Sequence, residues 1–287
     1  MGQQVRAYLG TGLIGEGLAL AALERGERVR AWNRTADKTR SIVAAGGEAL
    51  STPEEAVAGA TIVHLALTAD GAVDALLERI MDHVGDAIVV DHSTTSPEGA
   101  RARVDSMNAR GVRFLHCPVF MSPAACRAAQ GVMLASGPRE VFDAAAPWLS
   151  ETTGVLLFAG EEGHRAATLK LAGNGMILAM IGGLADVFTM AMAQGVEPND
   201  VLGLFQDFDL RNVLRARGAK MAAGDYGTSW TLAMARKDQG LMIDAAQGRP
   251  LTVLPAVGAR MDALIAEGEG EKDLAVLARD VRGRASA

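Results

Sequence analysis

The sequence predicts an α/β protein: a doubly wound, mostly parallel sheet followed by an all-α C-terminal domain, the two joined by a long interdomain helix. Three observations predict it. Short apolar strands alternate with helical segments through residues 1–162, the rhythm of a parallel sheet with helices on both faces. A glycine-rich turn separates the first strand from the first helix. From residue 163 onward the periodicity is helical with no convincing β run, which sets two domains, 1–162 and 163–287.

Residues 5–10 (VRAYLG) form a short apolar strand, 15–24 carry Ala and Leu at helical spacing, and 29–32 make a second strand, together one βαβ unit. Strands follow at 60–66, 87–90, 112–116 and 132–136, with helices starting near Pro53, Ala72, Pro97 and Arg139. A last β run at 154–158 precedes a boundary near 160–163. Residues 163–194 read as one unusually long helix, apolar on nearly every face; such a helix is expected to be buried on several sides, as the spine of the second domain. Helices over 198–205, 212–222, 231–247, 255–266 and 273–281 complete that domain, and the tail from Arg282 is expected to be loose.

At 287 residues, 49% hydrophobic and 22% charged, the chain can bury two cores and lacks the profile of disorder. A net charge of −6, with no Lys/Arg run, argues against nucleic acid and against an anionic membrane surface. A β-like segment begins almost directly after Met1, so no signal peptide is expected. The longest uncharged stretch, 171–185, spans 15 residues and holds four glycines. It is short of the roughly 20 apolar residues of a membrane span, so a buried helix is expected and no membrane partner. Cys117 and Cys126 could pair, but reduced thiols in a cytoplasmic protein fit two cysteines in so long a chain better. His64, His83, His92, His116 and His164 lack the spacing of a zinc site, the nearest cluster being His116-Cys117 with Cys126; no metal is expected. Methionines such as Met176, Met180, Met190 and Met192 read as adaptable core filler.

Gly10-Thr11-Gly12-Leu13-Ile14-Gly15 is a G-x-G-x-x-G motif lying between a strand and a helix, the context that makes it specific for a dinucleotide. Gly10 permits the tight turn, Gly12 lets backbone approach a pyrophosphate, and Gly15 lets helix and strand pack closely. Phosphates would meet the unpaired N–H groups at the positive end of the helix, as in Rossmann-type sheets. The second strand ends Trp32-Asn33-Arg34-Thr35, with no acidic residue to accept bonds from a ribose 2′-hydroxyl. Arg34 offers a planar donor fork for a 2′-phosphate, with Thr35 and Lys38 beside it, so NADP is expected rather than NAD. The competing reading is that Arg34 is a solvated surface charge.

Lys170 is the last charge before the uncharged stretch, where burial would lower its pKa toward a value useful for proton transfer. Asn174 lies one turn on, on the same face, able to orient a hydroxyl or carbonyl. The alternative is a lysine that snorkels to water at a domain edge.

The 10–15 loop, Asp91-His92-Ser93-Thr94, Cys117-Pro118-Val119, Gly160-Glu161-Glu162-Gly163 with Lys170 and Asn174 after it, and Lys237-Asp238 occur in this order. Together they resemble the β-hydroxyacid dehydrogenase family, which includes 3-hydroxyisobutyrate dehydrogenases, 6-phosphogluconate dehydrogenase-like proteins and glyoxylate/succinic semialdehyde reductases, over essentially the whole chain. The resemblance implies NADP(H)-dependent hydride transfer to or from a small carbonyl or hydroxy-acid substrate, with Lys170 as general acid/base and Asn174 positioning the reacting oxygen. It further implies Thr94 near the nicotinamide and substrate, Lys237 at the cofactor, Asp238 at the closing edge of the cleft, and Trp230 near the substrate. Leu67, Thr68 and Ala69, with Val73 just beyond, would line the adenosine-side ribose. A homodimer, each long helix packed on the other subunit's helical domain, is also implied.

One segment departs from the family. Relatives follow the Pro-Val pair with Ser-Gly-Gly or Ser-Gly-Ser, whereas this chain reads Pro118-Val119-Phe120-Met121-Ser122-Pro123. Phe120, Met121 and Ser122 are the expected substrate contacts, and two outcomes stay open: Ser122 anchors a small acid, or the pocket takes a larger, less polar carbonyl compound. Imine reduction on the same two-domain plan is an alternative function, favoured by the apolar pair and disfavoured by Lys170. A non-catalytic NADP-binding protein is the third.

Overall fold

The computed structural model describes residues 4–281, so the tail from Arg282 lies outside the described residues. Two compact units emerge, 1–174 and 175–287.

The first unit runs β1 (Val5–Leu9), α1 (Leu13–Glu24), β2 (Arg28–Trp32), α2 (Arg40–Ala44), β3 (Glu48–Ala49), α3 (Pro53–Val57), β4 (Ile62–Leu65), α4 (Asp70–Ile80), β5 (Ile88–Asp91), α5 (Pro97–Ala109), β6 (Arg113–His116), β7 (Val119–Phe120), α6 (Pro123–Arg127), β8 (Val132–Ser136), α7 (Arg139–Leu149) and β9 (Val155–Gly160). The start of α8 (His164–Ala193) also belongs to it. The strands form one sheet in the order β3-β2-β1-β4-β5-β6-β8-β7, with β9 also on β8. All described pairings are parallel except β6 with β8 and β7 with β8.

Alternation along the strands sorts the core. Ala7, Leu9, Val63, Leu65, Val89 and Phe114 face one side, against Val57 of α3, Leu77 of α4 and Val104 of α5. Tyr8, Val29 and Ala31 point to the other, against Leu18 and Ala22 of α1, and Ile62, Ile88, Val90 and Leu115 pack there on Phe142 and Leu149 of α7. Burial on both faces is why these strands read as near-continuous apolar runs. The chain reverses its direction of winding between β1 and β4, where the crevice outside the strand ends receives ligands in such sheets.

Short elements escape periodicity. β7 and α6 lie between Cys117 and Gln130, where Pro118 and Pro123 break the pattern, and α2 and β3 are too brief to show one.

The second unit continues α8 and adds α9 (Pro198–Asp207), α10 (Leu210–Ala223), α11 (Leu232–Ala245) and α12 (Leu254–Ala266). The expected last helix at 273–281 is corrected to a 3₁₀ turn, Leu274–Ala278, which Asp273 caps through the Ala275 N–H. Leu232, Ala235, Met261, Leu264 and Val276 form the core of this unit. Asp186 of α8 is buried and accepts from the backbone N–H groups of Thr252, Val253 and Leu254, serving the start of α12 in place of a local cap.

The expectation that α8 is buried on several sides is not met within one chain. Leu178 is 74% exposed, and Met176, Met180 and Ile181 are also open to solvent. By length and composition the helix could cross a membrane, a test that a helix buried in a protein interface passes equally.

Candidate nucleotide-binding and catalytic site

The glycine motif takes the geometry that each position requires. Gly10 has φ +88°, and a Cβ there would lie 2.4 Å from the Ala66 carbonyl oxygen. A Cβ on Gly15 would lie 2.0 Å from the Gly10 oxygen, so α1 closes onto β1 only with glycine there. Gly12 differs, because nothing lies within 4 Å of where its Cβ would stand. Protein packing does not demand glycine at that position; the free space is what an approaching phosphate needs. Helix α1 has no side-chain cap, which leaves its first-turn amides available to an anion.

Thr11 is held inside this turn rather than presented to a ligand: its N–H donates to Asn33 Oδ1 at 3.1 Å and its hydroxyl to the Lys38 carbonyl at 2.8 Å. Asn33 Nδ2 donates to the Thr35 carbonyl, so Asn33 ties the first loop to the second. Leu13 is 72% exposed, and Ile14 packs inward between two core clusters.

A cavity of about 310 Å³ opens over this turn, lined by Gly10, Gly12, Asn33, Arg34, Thr35, Lys38, Leu67 and Thr68 among the expected residues. Arg34 is exposed and makes no described ion pair or side-chain hydrogen bond, whereas neighbouring Arg40 is paired with Asp37. An unpaired guanidinium at the end of β2 fits a 2′-phosphate. Trp32, Ala66, Ala72, Ala75, Leu76 and Arg79 complete the lining. Sequence reasoning missed these, although 72, 75, 76 and 79 are the spacing of one helix face directly behind the loop. The Arg79 guanidinium lies 5.7 Å from the Trp32 ring and is held by Glu54. Val73 is corrected: it is fully buried, and its side chain joins the core instead of the cavity. Ala69 caps α4, and both Ala69 and Thr94 lie exposed on the loops after β4 and β5.

Lys170 sits in a second cluster of the same unit. It is 9% exposed, its Nζ lies 4.0 Å from the centroid of the Phe120 ring, and it donates to Asn174 Oδ1 at 3.1 Å. Among the described residues it has no carboxylate partner, and burial pushes its amine below the ordinary lysine range. A snorkelling lysine would have kept its head in water, so the structure favours the buried reading. Phe120 also fills the space over Gly173, where a Cβ would come within 2.3 Å of the ring. Met121 is corrected: half-buried, it turns inward against two core clusters, its Sδ 3.8 Å from Cys126 Sγ. Ser122 caps α6, accepting from the Ala125 N–H.

Trp230, Lys237 and Asp238 belong to the second unit. Lys237 and Asp238 pair with each other at 2.9 Å, both partly exposed. Trp230 stands beside Arg217, and its backbone N–H is held by the buried Asp273. Three of the five histidines are committed to the sheet of the first unit: His64 bonds His92, His92 bonds the Cys117 carbonyl, and His116 bonds Asp91. Both cysteines are free and buried.

A Bacillus subtilis protein described as the uncharacterized oxidoreductase YfjR is 27% identical, over 96% of this chain and 99% of that protein. The 3-hydroxyisobutyrate dehydrogenase of Pseudomonas aeruginosa is 24% identical, over 93% of this chain and 94% of its own. Among solved structures, an imine reductase of Streptomyces aurantiacus shares the fold, with a TM-score of 0.89 at 23% identity over 98% of this chain and all of that one (100%). Residues 6–160 match the NAD binding domain of 6-phosphogluconate dehydrogenase, more than half of the sequence, and the chain belongs to that family.

Proposed function

We propose that the protein is an NADP(H)-dependent oxidoreductase that interconverts a small carbonyl compound and its alcohol, with Lys170 as the general acid/base. The observation that carries this is Lys170 itself: a buried amine, desolvated against Phe120, whose described hydrogen bond goes to a neutral amide. A purely structural lysine would be expected to carry a carboxylate partner.

The residues of the 10–15 turn would hold the pyrophosphate, and Arg34, Thr35 and Lys38 the 2′-phosphate, while Thr94 and Lys237 are proposed further cofactor contacts. Bound there, a nicotinamide supplies or accepts hydride at the substrate carbon. Lys170 holds a proton at Nζ and delivers it to the carbonyl oxygen in reduction, or removes it from the hydroxyl in oxidation. Asn174 fixes the direction of that amine and offers its own amide to the same oxygen. Phe120 excludes water from the proton-bearing end of the lysine. Trp230 and Asp238 are proposed substrate contacts.

Imine reduction is the second reading. The aromatic ring over Lys170, in place of the family's small polar residues, favours a less polar substrate, and imine reductases share the fold. Assays with NADPH against glyoxylate, succinic semialdehyde, a bulky ketone and a cyclic imine separate the two. The proposal expects turnover of a carbonyl compound and at least a hundredfold loss of it in Lys170→Ala with cofactor affinity retained. Reduction of the imine alone, or full activity in that variant, would overturn it; binding of NADPH without turnover of any compound would leave the non-catalytic reading.

We further propose a cytoplasmic homodimer in which a second copy covers α8, since so many large apolar side chains on one helix are stable only when removed from water.

A further inference from the structure

Arg103 of α5 lies outside the cavity, yet it is 4% exposed and all its described side-chain hydrogen bonds go to the first two turns of α4 and to the loop after β5. Its Nη2 donates to Asp70 Oδ1 and to the Thr95 hydroxyl, each at 2.8 Å, and its Nη1 donates to Asp74 Oδ1 at 2.9 Å. Asp70 in turn accepts from the Ser96 N–H and the Ser96 hydroxyl, both at 3.1 Å. Asp70 directly follows Thr68 and Ala69, and Thr95 directly follows Thr94. A single buried guanidinium therefore joins the start of α4, directly after the loop whose Leu67 and Thr68 line the nucleotide cavity, to the loop after β5.

The close approach is built in. A Cβ on Gly99 would lie 2.1 Å from Asp70 Oδ1 and 2.9 Å from Ser96 Oγ, so a side chain there would displace the groups that meet around Arg103. Nearer the sheet the same two loops meet once more, where the Leu67 N–H donates to Ser93 Oγ at 2.9 Å and Asp91 accepts from the Ser93 N–H.

We propose that Arg103 is a positioning residue for the cofactor: by tying the start of α4 to the 94–96 loop it fixes the 67–68 segment that lines the nucleotide cavity, without touching the ligand. This rests on the reading of that cavity as the cofactor site. A planar fork with two carboxylates and a hydroxyl in fixed directions sets a distance, which a point charge on a flexible stem does not.

Arg103→Met tests it, since methionine fills much of the stem's volume and Asp70 and Asp74, both partly exposed, rehydrate when the cation is lost. Cofactor dissociation constants are measured for NADPH and NADH by quenching of protein fluorescence, with circular dichroism to check the fold. The expected result is about tenfold weaker binding of the cofactor that wild type prefers, given how steeply affinity follows geometry. Turnover at saturating cofactor stays within about threefold. Gly99→Ala should reproduce the loss, and Arg103→Lys should rescue it only partly. Arg110→Ala cuts another ion pair between α5 and α4, to Glu78 on the surface, and should leave binding within about twofold. Unchanged affinity in both Arg103→Met and Gly99→Ala would overturn the proposal, as would an equal loss in Arg110→Ala, which would mean that any loosening of the two helices suffices. A wild-type protein that binds neither dinucleotide would remove the cofactor reading beneath it.

Discussion

The amine of Lys170 lies 4.0 Å from the centroid of the Phe120 ring, with Asn174 Oδ1 as its hydrogen-bond acceptor. A ring in this position attracts the ammonium through its face, but removes the water that would otherwise stabilise the charge more strongly. Burial lowers the pKa below the ordinary 10.5.

The pH dependence follows with a definite sign. In the reductive direction the protonated amine is the acid, so the rate should fall as pH rises through a pKa that lies below 10.5. Lys170→Met should abolish that limb. Phe120→Ser, which readmits water, should move it to higher pH and raise activity toward carboxylate-bearing substrates over apolar ones. A limb that stays in place in both variants would assign the titration to another group.

Arg34→Ala should weaken NADPH binding by about tenfold to a hundredfold, the worth of charge-assisted bonds to a phosphate, and leave NADH unchanged. Calorimetric titration with both dinucleotides reads this directly. Equal losses for the two would show that Arg34 does not distinguish them.

Two glycines of one motif should fail in opposite ways. Gly12→Ala meets open space in the protein, so thermal unfolding should be unchanged while cofactor binding is lost. Gly15→Ala drives a methyl into the Gly10 carbonyl at 2.0 Å, so the fold itself should lose at least about 2 kcal/mol. Melting curves with and without NADPH distinguish the cases.

Light scattering on the purified protein should give twice the 29.9 kDa chain mass. Leu178→Glu, at a position 74% exposed within one chain, should shift the mass toward the monomer. A wild-type monomer at micromolar concentration would defeat the dimer, and a protein recovered only with detergent would point to a membrane around α8 instead.

Local order left a clear signature in the residues. The βαβ rhythm, the 10–15 turn and the long helix are written in contiguous patterns, because strand alternation, helix periodicity and the glycine positions of a phosphate loop each depend on neighbours in the chain. The absence of an acidic residue after β2 and the isolation of Lys170 at the edge of an uncharged stretch were legible for the same reason. What a side chain faces once its element packs was not. Val73 and Ala72 are adjacent, yet only packing sends one into the core and the other to the cavity. Met121 turning inward, Phe120 covering the lysine, and Arg103 bridging α4 to the loop after β5 all depend on residues far apart in sequence, whose proximity is fixed by how layers of helix and sheet close over one another.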